Sequence, residues 1–487
     1  MPGLVEEAVR TMTPSGGTAD AVRGVLIAAG ACALARSLMA LRGRRPALVL
    51  LVLWSAIPAL AIGYAWAALP GAWLHEAIPV QVLHGVLAAF RLAPITLMIA
   101  CLLPAPPLNA AAFHCLRLSR RGSRAALAWH WWSRGPGRNW LVAALTIFPL
   151  AFSEFEIASR LDVGVWAVRL FDAQAGGQYL AVTLLQALPG SLLQFAALAC
   201  AGLLITGRMS APPGALVAEP APRRLLPAWL VLATGSALLL GVPAGTLAWD
   251  AGEAIAVAIT QATMLRFEIM ASLAFAGVSA LCAWLIAGVL ASPPAPSLLR
   301  RLLLAGLMLP GLLGSLFMGV GVLALCQLPI LRPLAATPLP LTIALVLLLL
   351  PFALVLRLFI ARLSAPAAWH QAQLLQAGDG RRVAASVALD WALSGRRAWW
   401  CFAIIFAWAY GDLAASAILH PVDMTPVLVR LYNLMHYGRS SALSVQLAMA
   451  LLAGLAALAA AYACVRTGPR LMALWSARAR TRGLDHV

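Results

Sequence analysis

The sequence contains no lysine: all 35 basic residues are arginine. A P-loop of the form G-x-x-x-x-G-K-[ST] needs a lysine to reach the β- and γ-phosphates, so that nucleotide motor is excluded from this chain. Carboxylates are also scarce, 17 against those 35 arginines. None of the 8 cysteines forms a Cys-x-x-Cys pair; Cys32, Cys101, Cys200, Cys282, Cys326, Cys401 and Cys464 fall within apolar runs and Cys115 in a polar loop. That pattern excludes a zinc or disulfide framework. The N-terminus MPGLVEEAVR places Glu6 and Glu7 where a secretory leader would be basic, so no signal peptide is expected.

What the chain has instead is apolar sequence. With 62% hydrophobic and 11% charged residues and a mean hydropathy of +0.88, 487 residues cannot cover a soluble globule with polar groups. Crossing about 30 Å of hydrocarbon takes about 20 helical residues. Cutting at charges and Pro/Gly clusters gives about eleven spans. The first five lie at roughly 24–41, 47–69, 81–104, 140–159 and 180–206; the others lie at roughly 226–249, 268–291, 303–327, 341–357, 399–419 and 442–464. Unbroken runs such as ALVLLVLWSAIPALAIGYAWAAL lack the alternation of a β-barrel, so the expected fold is all-α, a polytopic transmembrane helical bundle.

Arginines near span ends set the orientation. Alternating the loops puts 25 of them on one face and seven on the other, which makes the Arg-rich face and the C-terminus cytoplasmic. Only Glu219, Asp379, Asp390 and Asp485 join them there, so topology accounts for the net charge of +18 and no nucleic-acid partner is implied.

A polar phrase occurs twice. Val168-Arg-Leu-Phe171 and Val429-Arg-Leu-Tyr432 each lie between apolar runs on the expected outer face, with Ile157-Ala-Ser159 and Ala414-Ala-Ser416 upstream. Glu6 to Gly17 resembles Gly252 to Thr263 in the same register. The expectation is a tandem duplication with parallel halves of 5 and 6 spans: residues 1–206, a cytoplasmic linker 207–225, and residues 226–487. Their common axis, along the membrane normal, is a natural place for a passage.

The stretch GDLAASAILHPVDMTPVLVRLYNLMHYG, Gly411 to Gly438, resembles permease subunits of binding-protein-dependent ABC importers, of the fused two-half type that includes iron(III) and thiamine transporters. The rest of the chain is similar in span pattern. The resemblance implies no cofactor, separate cytoplasmic ABC ATPase subunits, a periplasmic substrate-binding protein that supplies most selectivity, and an inner-membrane location. Ferric iron is the first expected substrate, with thiamine, sulfate, polyamine or phosphonate as alternatives. It also implies a coupling loop, whose pattern Glu-Ala-Ala, three residues, Gly, nine residues, Ile-x-Leu-Pro is met in degenerate form by Gln371, Ala372, Gln373, Ala377 or Gly378, Val387, Leu389 and Asp390. Two short helices broken at Gly-Asp-Gly 378–380 would dock in a groove of the motor. The first half's loop, 105–139, breaks near Gly122 and serves either docking or anchoring by arginine.

Ionisable groups inside spans are costly unless they face water or a partner. Glu154, Glu156 and Asp412 lie near outer span ends, either facing each other to ease a cation along or pairing with Arg169 and Arg430. Arg91, three residues before Pro94, needs a carbonyl, a carboxylate or a cavity. His75, His84, His420 and His436 are expected as scattered outer-face residues without metal. Tyr410-Gly411-Asp412 has no Gly-x-Gly-Asp partner, and no Ser/His pair stands at helical spacing, so no enzyme is expected. An ion-driven carrier stays open as an alternative to the ATP-driven importer.

Overall fold

The structure is a computed structural model that describes residues 14–41, 44–69, 76–103, 106, 108, 110–119, 123–204, 225–291, 306–363, 395–435 and 441–484. The described residues are helical, without strands. In the first part of the chain run α1 Pro14–Leu38, α2 Arg45–Ala56, α3 Ala59–Ala67, α4 Ala77–Leu102, α5 Ala110–Ser119, α6 Arg124–Ser133, α7 Arg138–Phe152, α8 Glu156–Arg160, α9 Trp166–Ala175 and α10 Leu180–Leu204. They are followed by α11 Leu225–Ser236, α12 Val242–Ala291, α13 Ser315–Cys326, α14 Leu339–Leu363, α15 Arg396–Gly411, α16 Ala414–Leu419, α17 Val427–Met435 and α18 Ser441–Leu484.

Eight helices among the described residues are long and apolar enough to cross a membrane, nine if α2 and α3 count as one span bent by 82°. The chain is thus a multi-pass helical bundle, with fewer uninterrupted spans than the expected eleven. Four expected spans are broken: α7 and α8 are separated by the turn at residues 153–155, and the other three break at a proline, a positive-φ glycine and an extended aspartate. Pro58 separates α2 from α3. Gly314, at φ +99°, separates residues 306–312 from α13. Asp412, extended at ψ 124°, ends α15 after 16 residues. A second difference lies between the expected spans 226–249 and 268–291. A loop is expected there, but α12 stays helical across it, because no proline interrupts residues 244–291.

Lipid supplies no hydrophobic drive between helices, so close packing must hold them. Small residues on one face provide it twice. Ala28, Ala31 and Ala35 of α1 are buried against α4, and Ala276, Ala280, Ala283 and Ala287 of α12 are buried against α14. Large apolar side chains such as Leu203 (71% exposed) and Leu452 (64%) point outward, as on a lipid-facing surface.

Helix α11, which the sequence groups with the second half, packs against α1 and α2 of the first. Trp54 Nε1 donates to Ser236 Oγ at 3.1 Å, and Trp66 Nε1 donates to the Leu238 carbonyl at 3.0 Å, inside a π-helical turn Ala237–Gly241. Gly235 makes this approach possible: a Cβ there would lie 2.3 Å from the Trp54 ring and 2.6 Å from Phe90. Gly235→Val is therefore expected to push α11 off the first half at a cost of about 1–3 kcal/mol. Thermal unfolding in detergent checks this, and an unchanged midpoint would show that the contact does not hold α11.

Candidate functional site

The four interrupted helices bring their breaks together around one cavity. Each break frees backbone N–H groups that membrane depth leaves without water, so side chains must accept them. Glu154, in the turn after α7, does this for α8: Oε1 accepts from the Ile157 N–H at 2.8 Å and Oε2 from Ala158 at 3.2 Å. Glu156 reaches both halves. Its Oε2 accepts from the Leu60 N–H of α3 and its Oε1 from the Leu413 N–H just before α16, each at 3.2 Å. Asp412 caps α16 by accepting from the Ser416 N–H at 3.1 Å. It also accepts from the Ser315 hydroxyl, whose oxygen in turn accepts from the Ala415 N–H at 3.0 Å.

Around these carboxylates lies a cavity of about 160 Å³. Its walls come from both parts of the chain: Ser55 to Pro58, Arg91 and Ser153 to Glu156 from one, Gly314 to Leu316, Trp408 and Asp412 from the other. Among the described residues, Arg91 is the one cation lining the cavity, and its buried Nε has no hydrogen-bond partner. Gly314 forms a close approach between the two walls, because a Cβ there would come within 2.4 Å of Ser153 Oγ.

Of the residues singled out in the sequence, Arg91, Glu154, Glu156 and Asp412 share this cavity. Arg169 and Arg430 do not, and they do not pair with those carboxylates either. They make the same contact in two places: Arg169 of α9 pairs with Asp20 of α1, and Arg430 of α17 pairs with Glu268 of α12. The repeated phrase thus ties a short outer helix to a long one. Both arginines are half-exposed, at 49% and 42%, so either pair contributes at most about 1 kcal/mol. Arg430→Ala is expected to lower the unfolding midpoint only slightly, and a large drop would mean that the pair is shielded from solvent.

His84 departs from its expected place on the outer surface. It is 1% exposed, with Nε2 2.8 Å from Glu154 Oε2. The sequence hides this because His84 lies 70 residues from its partner. Ser315, Asp20 and Glu268 were missed for the same reason. The coupling-loop residues Gln371, Ala372, Gln373, Ala377, Gly378, Val387, Leu389 and Asp390 lie outside the described residues. In the first half's loop, α5 and α6 form two short helices on either side of residues 120–123, and α6 exposes Trp129 and Trp132. Among the described residues no three His, Cys, Asp or Glu side chains converge as metal ligands.

No family model, no curated protein and no solved structure matches this chain.

Proposed function

We propose that this chain is the membrane-spanning permease of an ATP-driven importer, with its passage along the seam between two parallel halves and the central cavity as one stage of that passage. The observation that carries the reading is the cavity itself: it is enclosed by corresponding broken helices from both parts of the chain and lined by ionisable groups at membrane depth. The order of elements supports two halves. A long helix, a broken helix, a second long helix, a helix ending in a carboxylate-capped break, a short VRL helix and a final long helix occur first over residues 14–204 and again over residues 265–484. The pairs Arg169–Asp20 and Arg430–Glu268 support it too.

Three carboxylates against one arginine favour a cation over sulfate or phosphonate. A cavity of about 160 Å³ favours a small solute. Ferric iron, the first expectation from the family resemblance, fits both. The absence of lysine assigns ATP hydrolysis to another subunit. The helix pair α5–α6, with two exposed tryptophans, is a surface on which such a subunit could dock.

Purification from native membranes is expected to bring down an ABC ATPase and a periplasmic binding protein. Uptake should stop when that ATPase is removed; uptake that persists without it points to an ion-driven carrier instead. Asp412→Asn is expected to reduce uptake, and full retention would take that carboxylate out of the passage.

A further inference from the structure

Beside the cavity, three aromatic rings meet. Phe155 belongs to the cavity wall. Its ring centroid lies 4.5 Å from that of Phe171 and 6.1 Å from that of Tyr432, and the Phe171 and Tyr432 centroids are 6.0 Å apart. All three are buried, at 3%, 8% and 4% exposure. Phe171 and Tyr432 are the fourth residues of the two VRL phrases, so the repeated segments meet ring to ring over the seam.

We propose that Phe155, Phe171 and Tyr432 form the seal that closes the central cavity toward the outer face, and that the cavity opens there when α9 and α17 part. The inference rests on the reading of the cavity as a passage and names what regulates it. Chain direction puts the rings in the right place. Helices α7 and α15 leave the Arg-rich face and end at the cavity, and α9 and α17 follow their breaks. An apolar constriction of this kind excludes water and ions without any bond having to break.

At the rings, the contacts between the two parts of the chain are of a separable kind. Only Tyr432 comes from the second part, so two ring contacts cross there. Ring pairs of this geometry are individually weak. Elsewhere the two parts stay joined by hydrogen bonds, from the Leu413 N–H to Glu156, from Trp408 Nε1 to the Ser55 carbonyl and between the Tyr64 and Ser444 hydroxyls. Each short helix is also linked to a long helix of its own part: Arg169 pairs α9 with α1, and at α17 Arg430 pairs with Glu268 while the buried Val427 N–H donates to Ser272 Oγ of α12 at 2.8 Å. Opening of the seal is then a local parting of α9 and α17 and does not require the two parts to separate.

The test is access to the cavity from each side. Ala407 lines the cavity, and Ala407→Cys supplies a target for a membrane-impermeant cationic methanethiosulfonate. Labelling at residue 407 is read by peptide mass spectrometry in the full-length chain, in vesicles of both orientations, so the native cysteines can stay. With the rings intact, reagent on the outer face is expected to react at least tenfold more slowly than in Tyr432→Ala, while Tyr432→Phe keeps the slow rate. Phe171→Ala, from the other half, is read in the same way if Tyr432→Ala does not reach the membrane. Fast outer labelling with all rings present, or a slow rate unchanged by loss of either ring, overturns the seal. The measurement reads access and not uptake. A cavity that opens through these rings in a chain that carries no solute would therefore defeat the transport reading and leave the seal in place.

Discussion

Gly314→Ala is expected to cost about 3 kcal/mol or more, an unusually large effect for one methyl group. Two terms add. At φ +99° and ψ 162°, Gly314 occupies a region almost reserved for glycine, and a side chain there costs about 1–3 kcal/mol in backbone strain. The new Cβ would also lie 2.4 Å from Ser153 Oγ and 2.8 Å from Ser153 Cβ, an overlap worth a further 1–3 kcal/mol or so. The second term can be removed separately. Adding Ser153→Gly to Gly314→Ala should relieve the overlap and leave the strain, restoring part of the stability. Thermal unfolding in detergent, with the amount of chain recovered from membranes, reads both. If the single variant unfolds with the parent, the close approach of the two walls is not as described.

Glu154→Ala is the second large effect, at about 3–5 kcal/mol. The carboxylate is 8% exposed and satisfies three donors at once: His84 and the Ile157 and Ala158 N–H groups. Its removal takes the acceptor from each of these buried donors at once. Glu154→Gln keeps one acceptor oxygen and should fall between parent and Ala. Equal loss from Gln and Ala would mean that the charge and not the accepting oxygens holds the turn. The contrast with Arg430→Ala follows from exposure. Glu154 is 8% exposed and holds three donors, whereas the 42%-exposed Arg430 can turn to solvent.

Some of this architecture was readable in the residues. Apolar runs long enough to cross hydrocarbon, free of alternation, required helices, and the position of most of them followed within a few residues. The four interrupted runs were less readable, because hydropathy does not register a break at Pro58, Ser153, Gly314 or Asp412 when most flanking residues stay apolar. The helical stretch between residues 249 and 268 was misread for a related reason: Asp250, Glu253 and Glu268 mark an end of hydrocarbon and not an end of helix. Arg91, Glu154, Glu156 and Asp412 stood out as ionisable groups in apolar surroundings, and they share one cavity. Arg169 and Arg430 stood out equally, yet they bind Asp20 and Glu268 at the rim.

The sequence by itself determined the solvent: with so few charges, the chain had to satisfy its backbone within helices, and without lysine it carries no P-loop. It also fixed which polar groups would be expensive, since each stands alone in an apolar run. Local caps aside, only the tertiary structure decided what those groups join, because the partners that link distant elements lie 70 to 257 residues away, as His84 does from Glu154 and Leu413 from Glu156. Local pattern carries information over a helical turn or two. Which breaks meet, which rings touch and which carboxylate bridges the halves are set by packing between helices, and that depends on shape complementarity that no single stretch contains.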